Sequence, residues 1–300
     1  MKNALVTGAA GFTGRYTTWA LRERGYKVIG IAERRSEGTD IIACDLTDAN
    51  ATMLAVQRAK PDIVVHLAAV SFVGHDDPFA FYRVNLFGTL NLLVALASLE
   101  VAPNKILIAS SANVYGVPTL EVIDESVCPA PVNHYATSKL AMEHMVRNWF
   151  DRLPIVITRA FNYTGPGQSG QFLIPKIVEH FRRRAPVIEL GNVEVSRDFS
   201  DVEEVVAAYI LLLESSARSE IVNVCSGRAT ALREVLSMMA TLAGYQIEVR
   251  VTPEFVRPNE IQRLVGDNTR LKHLIKFAPS RPILETLQRM YAARLGSLNS

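Results

Sequence analysis

Short apolar runs alternate with longer amphipathic stretches from the first residues of the chain. Asn3–Thr7, Lys27–Ala32 and residues 41–44, 62–67, 105–109, 154–159 and 221–224 are brief runs dominated by Val, Ile, Leu and Ala. Continuous apolar runs of this length predict strands buried on both faces, which is the habit of parallel sheets. Between them, residues 12–24, a stretch ending at Lys60, and residues 79–99, 172–184, 201–214, 230–243 and 282–298 carry helical patterning. Pro61 marks the end of one helix, and Asp77-Pro78 the start of another, with proline at the first helical position. Asp201 is expected to cap its helix. The alternation predicts an α/β fold built on a doubly wound parallel sheet. Gly and Pro crowd residues 165–170, and the pattern beyond leaves the sheet and returns to it. Residues 1–163, with returning segments near 193–224, are therefore assigned to the sheet domain. Residues 164–192 and 225–300 are assigned to a smaller, discontinuous substrate-binding lobe. A cleft between the two at the strand ends is the expected site.

The first strand runs straight into Gly8-Ala-Ala-Gly11-Phe12-Thr13-Gly14 and a helix. That order is the context in which a glycine motif signals dinucleotide binding in a Rossmann-type fold. Gly8 permits the turn, Gly11 lets backbone approach a pyrophosphate, and Gly14 lets the helix pack closely. The helix N-terminus offers N–H groups to phosphates. Ala32 stands where a ribose-binding acid is expected, with Glu33, Arg34 and Arg35 after it. Glu33 points to NAD(H) and the arginines to the 2′-phosphate of NADP(H), which the space left by Ala32 favours. Asp45 ends the third strand and is a candidate for the adenine amino group. The fourth strand leads into small residues that would let a cofactor ribose lie against backbone. His66 reads as a packed strand-end histidine. Asn85 is a polar residue on a long apolar helix, either a structural hydrogen-bonder or part of a proton relay.

The stretch from Lys105 to Lys139 carries the candidate chemistry. Ser110 and Ser111 lie at the carboxyl end of a buried strand, where open α/β sheets place ligands. Tyr135 and Lys139 are four apart and share a helix face. A phenol titrates near pH 10, and a fixed ammonium is expected to draw it down toward neutrality. A serine hydroxyl would hold a substrate oxygen in line with the phenol.

Composition narrows the classes. Half the 300 residues are apolar, enough for a large core, and the net charge is +2. Near-neutrality implies no nucleic-acid partner and no membrane surface. No apolar run is expected to reach membrane-spanning length, and no signal peptide is expected before the first strand. Cys44, Cys128 and Cys225 are sparse, odd in number and without metal spacing, which predicts reduced core thiols in a cytoplasmic protein and no metal. Residues 135–150 hold Leu140, Met142, Met145, Val146, Trp149 and Phe150, a surplus that predicts a helix-bundle contact in a homodimer or homotetramer.

The glycine turn, Asp45-Leu46, His66-Leu67-Ala68-Ala69, Ser111 before Val114-Tyr115-Gly116, and the Tyr135–Lys139 pair together resemble the extended short-chain dehydrogenase/reductase family. The stretches 161–168, 190–202, 223–227 and 257–267 resemble its GDP-sugar branch. The resemblance implies Ser111, Tyr135 and Lys139 as the catalytic set. It also implies Leu46, Leu67, Ala68 and Ala69 beside the cofactor, and Ser71 beside the substrate. It places Asn162, Phe172 and Leu173 along the nucleotide-sugar path, with Leu190 and Asn192 at the base. Arg197 and Arg257 would hold the diphosphate and Glu260 a ribose hydroxyl. Ala112 and Asn113 stand where dehydratases of the family carry acids, and the cysteine of the epimerase-reductases is missing. The implied activity is NAD(P)H-dependent reduction of the C4 ketone of a GDP-4-keto-6-deoxyhexose.

Overall fold

The structure, a computed structural model, describes residues 1–33, 40–252 and 261–293. Along the chain lie β1 (Asn3–Thr7), α1 (Phe12–Glu23), β2 (Lys27–Ala32), β3 (Ile41–Ala43), α2 (Ala49–Ala59) and β4 (Ile63–His66). Next come α3 (Pro78–Tyr82), a π-helical turn (Arg83–Gly88), α4 (Thr89–Ala97), β5 (Lys105–Ser111), a 3-10 turn (Ala112–Tyr115), α5 (His134–Arg147) and β6 (Ile155–Ala160). The remainder comprises β7 (Asn162–Thr164), α6 (Leu173–Arg182), β8 (Val187–Leu190), β9 (Ser196–Asp201), α7 (Val202–Glu214), β10 (Glu220–Val224) and β11 (Ala229–Ala231). It ends with α8 (Leu232–Ala243), β12 (Glu248–Val251), β13 (Arg263–Leu264), α9 (Thr269–Ile275) and α10 (Ile283–Ala292).

Seven strands form one parallel sheet in the order β10-β6-β5-β4-β1-β2-β3. The chain winds outward from β1 to β3, then crosses to β4 and winds the other way. That reversal opens a crevice between β1 and β4, the topological switch point. Alternate residues of each strand go to opposite cores. Ala4, Val6 and Leu107 pack with Leu21 of α1 and Val205 and Tyr209 of α7. Leu5, Ile106 and Ile108 pack with Val56 of α2, Leu92 of α4 and Met142 of α5. Burial on both faces explains why these strands read as unbroken apolar runs.

A second set of strands lies off this sheet. β9 is flanked by β11 and β13 and also pairs with β7. β8 pairs with β12. These elements share a core of their own, with Ile177 and Phe181 of α6, Ile188 and Leu190 of β8, Val235 and Met239 of α8, and Leu287 of α10. Of the returning segment near 193–224, α7 and β10 pack on or join the large sheet, whereas β9 belongs to the smaller one.

Two expectations change. The run Pro78–Ala97 is twenty residues long with a mean hydropathy of 1.4, so membrane-spanning length is reached after all. Half of it is buried within the protein, and it carries Arg83, Asn85 and Asn91, as a core helix does. The apolar surplus expected on α5 is largely used within the chain. Met142 and Val146 are fully buried, and Met145, Trp149 and Phe150 pack against the same core. Exposed apolar side chains instead project from the α3–α4 run at Phe79, Phe87 and Val94.

Candidate active site

The glycine turn sits at the β1 side of the crevice. Gly8 has φ +67, and a Cβ there would meet the Ala68 backbone nitrogen at 2.9 Å. A Cβ at Gly14 would lie 2.1 Å from the Gly8 carbonyl oxygen, so α1 rests directly on the turn. Gly11 precedes α1 as its N-cap without any side-chain cap, and the first turn holds no acid. Phe12 and Thr13 therefore open a helix whose N-terminal N–H groups face the crevice uncapped by side chains, which fits a dinucleotide pyrophosphate. On the β4 side, Leu67 and Ala68 donate their N–H groups to the Thr7 hydroxyl at 3.1 Å each. These bonds hold the chain through Ala69 against the turn.

The outer cofactor residues are placed less uniformly. Glu33 is exposed just past β2, and Arg34 and Arg35 lie outside the described residues. Asp45 is exposed and its carboxylate accepts from the Thr47 N–H at 2.8 Å. The Leu46 side chain is buried in the core, and its carbonyl accepts from Asn91 at 2.9 Å. Leu46 therefore has only its backbone N–H to offer a ligand, because its side chain is committed to packing.

Ser111 is the last residue of β5, so the strand runs two residues past the expected end. Asn133 caps α5 and delivers Tyr135 and Lys139 to one buried face. The Ser111 side chain lies near enough to the Tyr135 phenol to oppose the effect of its burial. Lys139 donates to the Ala109 carbonyl at 2.8 Å. The structure thus brings the three together at the end of β5.

The electrostatics differ from the sequence expectation. Burial pushes the Tyr135 phenol up to about 12; the Ser111 side chain opposes this, and the nearby Tyr163 phenol adds to it. The ammonium does not draw the phenol down, because it is directed at the β5 backbone. Burial lowers Lys139 itself to about 8, against the influence of Glu143. Tyr135 therefore carries its proton at neutral pH, which suits an acid better than a base.

Two polar residues have structural work. His66 is held between the Thr7 and Thr89 hydroxyls at 2.7 and 2.8 Å, and burial lowers it to about 3, so it is neutral. Asn85, inside the π-helical turn, accepts from the Val70 N–H at 2.8 Å and donates to the Val70 carbonyl at 3.2 Å and the Ser138 hydroxyl at 3.0 Å.

The substrate-path residues scatter more. Ser71 and Asn162 are exposed at the strand ends. Phe172 meets Phe72 edge-on at 5.9 Å, and Leu173 opens α6 beside it. Asn192 contacts Gln262 at 3.4 Å, and Arg197 donates to the Gln262 carbonyl at 3.3 Å. The Leu190 side chain is 2% exposed within the smaller core, so it has no face left for a base. Arg257 and Glu260 lie outside the described residues. Among the described residues no His, Cys, Asp or Glu group is arranged for a metal. Cys44 and Cys225 are buried free thiols, whereas Cys128 is exposed rather than in the core.

Sequence reasoning passed over Glu143, Arg159 and Tyr163. The signal for Glu143 was its place one helical turn beyond Lys139. Tyr163 hydrogen-bonds the Thr13 hydroxyl at 2.9 Å and stacks near Phe12, a contact across 150 positions that no spacing reveals.

The chain is similar to enzymes named for chemistry on GDP-sugars. A GDP-6-deoxy-D-talose 4-dehydrogenase from Aggregatibacter actinomycetemcomitans is 35% identical, covering 98% of this chain and 99% of its own. A GDP-6-deoxy-D-mannose reductase from Pseudomonas aeruginosa is 35% identical, covering 94% of each. Among solved structures, a Burkholderia cenocepacia J2315 protein described as a candidate epimerase is 48% identical over 97% of this chain and 99% of its own, with a TM-score of 0.91. The structure of RMD from Pseudomonas aeruginosa complexed with NADPH is 30% identical over 97% of both, with a TM-score of 0.84. The family profile described as GDP-mannose 4,6 dehydratase matches residues 5–290, so the chain belongs to that family.

Proposed function

We propose that the protein reduces the C4 ketone of a GDP-4-keto-6-deoxyhexose with NADPH, giving a GDP-6-deoxyhexose such as GDP-D-rhamnose. NADH is the alternative reductant. The observation that carries this reading is that the buried α5 face of Tyr135 and Lys139 meets the end of β5 at Ser111, in a sheet whose first strand leads into an uncapped, glycine-lined helix N-terminus. Both GDP-sugar relatives are named for redox chemistry on 6-deoxyhexoses.

A nicotinamide held at the glycine turn would supply the hydride that the carbonyl carbon takes up. Tyr135 gives its phenolic proton to the carbonyl oxygen, and that oxygen becomes the product hydroxyl. Ser111 holds the oxygen in line. Lys139, fixed at the end of β5 by its bond to the Ala109 carbonyl, would hold the nicotinamide ribose. Gly8, Gly11, Phe12, Thr13 and Gly14 seat the pyrophosphate, with Leu67, Ala68 and Ala69 opposite. Ser71, Asn162, Phe172, Leu173, Asn192 and Arg197 face the sugar nucleotide, Arg197 toward its diphosphate. Ala112 is buried and apolar and the Asn113 amide does not titrate near neutral pH, so the extra acid and base that dehydration needs are missing after Ser111.

The reading extends to a cytoplasmic homodimer or homotetramer. Phe79, Phe87 and Val94 are spaced eight and seven apart on the α3–α4 run and offer apolar surface to a second copy.

Stoichiometric loss of reduced-nicotinamide absorbance on mixing with the keto-sugar tests the reading; no loss with either nicotinamide overturns it. A C4 epimerase is the second reading, favoured by the description of the Burkholderia cenocepacia structure. It requires purified protein that retains NAD and converts a sugar nucleotide without net oxidation or reduction.

A further inference from the structure

Behind the phenol and the ammonium lies a buried ion pair to which the proposed chemistry assigns no role. Glu143 follows Lys139 by one turn on α5 and is 1% exposed; Arg159 on β6 is 2% exposed. Arg159 donates to Glu143 through Nε at 3.0 Å and Nη2 at 2.7 Å. Its guanidinium lies 4.8 Å over the Tyr115 ring, whose hydroxyl donates to Asn223 at 2.7 Å. Glu143 also accepts from the Ser110 hydroxyl at 2.5 Å. Ser110 immediately precedes Ser111, so this bond fixes the strand end that presents the catalytic hydroxyl.

A buried ion pair is a poor way to gain stability. An apolar pair of equal volume is commonly as good or better. Its placement gives another reason for it. Lys139 is buried among α5, β5 and β4. From α5 it is faced by Tyr135 and Glu143, from β5 by the Ala109 carbonyl and from β4 by the neutral His66. The π-helical turn adds the uncharged Asn85 through Ser138. Burial opposes the ammonium, and Glu143 favours it.

We propose that Glu143, anchored by Arg159 and Ser110, is a positioning residue that keeps the Lys139 ammonium charged behind Tyr135. The role deepens the reduction proposed above and rests on that reading for its catalytic meaning. Arg159 sets the strength of the effect, since it shares the carboxylate through two donated hydrogen bonds.

The test reads Lys139 directly. Lysine labelled with carbon-13 in the full-length protein is followed by NMR across pH, and the resonance lost in Lys139→Arg is the reporter. Glu143→Gln keeps the shape and the acceptor for Ser110 but removes the charge. The Lys139 titration is expected to fall by about one pH unit. The alkaline limb of kcat is expected to fall with it, while KM for the sugar nucleotide stays. Should that variant fail to fold, the double variant Glu143→Leu with Arg159→Met replaces the pair with apolar volume. Its melting temperature is expected to recover and its Lys139 titration to stay low. A folded variant of either kind in which Lys139 titrates at the wild-type pH overturns the inference. The titration needs no turnover, so a wild-type protein that fails to oxidise NADPH defeats the reductase reading separately.

Discussion

Lys139 donates to the Ala109 carbonyl oxygen at 2.8 Å, tying the middle of α5 to the end of β5. That bond places the ammonium, and burial sets its titration near 8 instead of the ordinary 10.5. Stability and activity then move oppositely with pH. The unfolded chain holds the lysine proton more tightly than the folded one. The cost of the buried charge is therefore complete below about pH 8 and is relieved as pH rises toward 10.5. Activity needs the charge and falls through the same window. Lys139→Met is expected to raise the melting temperature at pH 7 and to cut kcat by about 10²–10⁴. Thermal melts and rate profiles on the same samples check both signs.

Tyr135 and Ser111 are expected to separate chemistry from folding. Tyr135→Phe keeps the edge contact with Phe81 at 6.1 Å and removes a hydroxyl that burial has pushed up to about 12. A loss of about 10²–10⁴ in kcat is expected, with the melting temperature nearly unchanged. Ser111→Ala is expected to lose about 10²–10³, since it removes one donor to the developing oxyanion. Stopped-flow oxidation of NADPH with the keto-sugar measures both. Equal losses in KM and none in kcat would assign the two hydroxyls to binding.

Much of this was legible in the chain because it is local. The parallel strands announce themselves as unbroken apolar runs, and the glycine turn, the strand end at Ser111 and the Tyr135–Lys139 spacing are each short. The smaller sheet was not legible. β7, β11 and β13 are two or three residues long, and β9 is Ser-Arg-Asp-Phe-Ser-Asp, five polar residues of six. Their pairing is decided by contacts far along the chain, as where Asp198 gathers the N–H groups of Ser226 and Gly227 at 2.8 Å each. The direction of the Tyr135 shift was missed for a related reason. Spacing tells which residues share a helix face but not that the ammonium turns toward a backbone carbonyl, leaving burial to dominate.

Gly14 and Gly25 distinguish a packing glycine from a turn glycine. A Cβ at Gly14 would fall 2.1 Å from the Gly8 carbonyl oxygen, and both partners are backbone. Gly14→Ala is expected to destabilise the fold by about 1–3 kcal/mol and to weaken NADPH binding at least tenfold, because α1 must lift off the turn. Gly25 has φ +78 and nothing within 4 Å of the added carbon. Gly25→Ala is expected to cost about 1 kcal/mol through backbone strain alone and to leave NADPH binding as it was. Calorimetric titration of NADPH, beside urea melts, separates the two. Equal affinity in both variants would remove α1 from the cofactor site.

Asn85 joins the loop after β4 to the helix that carries Tyr135. Its amide makes two bonds to the Val70 backbone and one to Ser138, whose own hydroxyl donates to the Tyr135 carbonyl at 2.7 Å. Asn85→Ala leaves buried backbone groups of Val70 without these partners, a cost of about 1–3 kcal/mol. Asn85→Asp is the sharper probe. The carboxylate still accepts from the Val70 N–H, but it faces the Val70 carbonyl with an acceptor and has no proton for Ser138. The loop from Leu67 to Ser71 is then expected to shift away from the crevice while α5 keeps its cap at Asn133. KM for NADPH should rise about tenfold or more, and kcat at saturating cofactor should fall less. A fall in kcat alone would mean that Asn85 acts on the phenol through α5 and not on the cofactor through the loop.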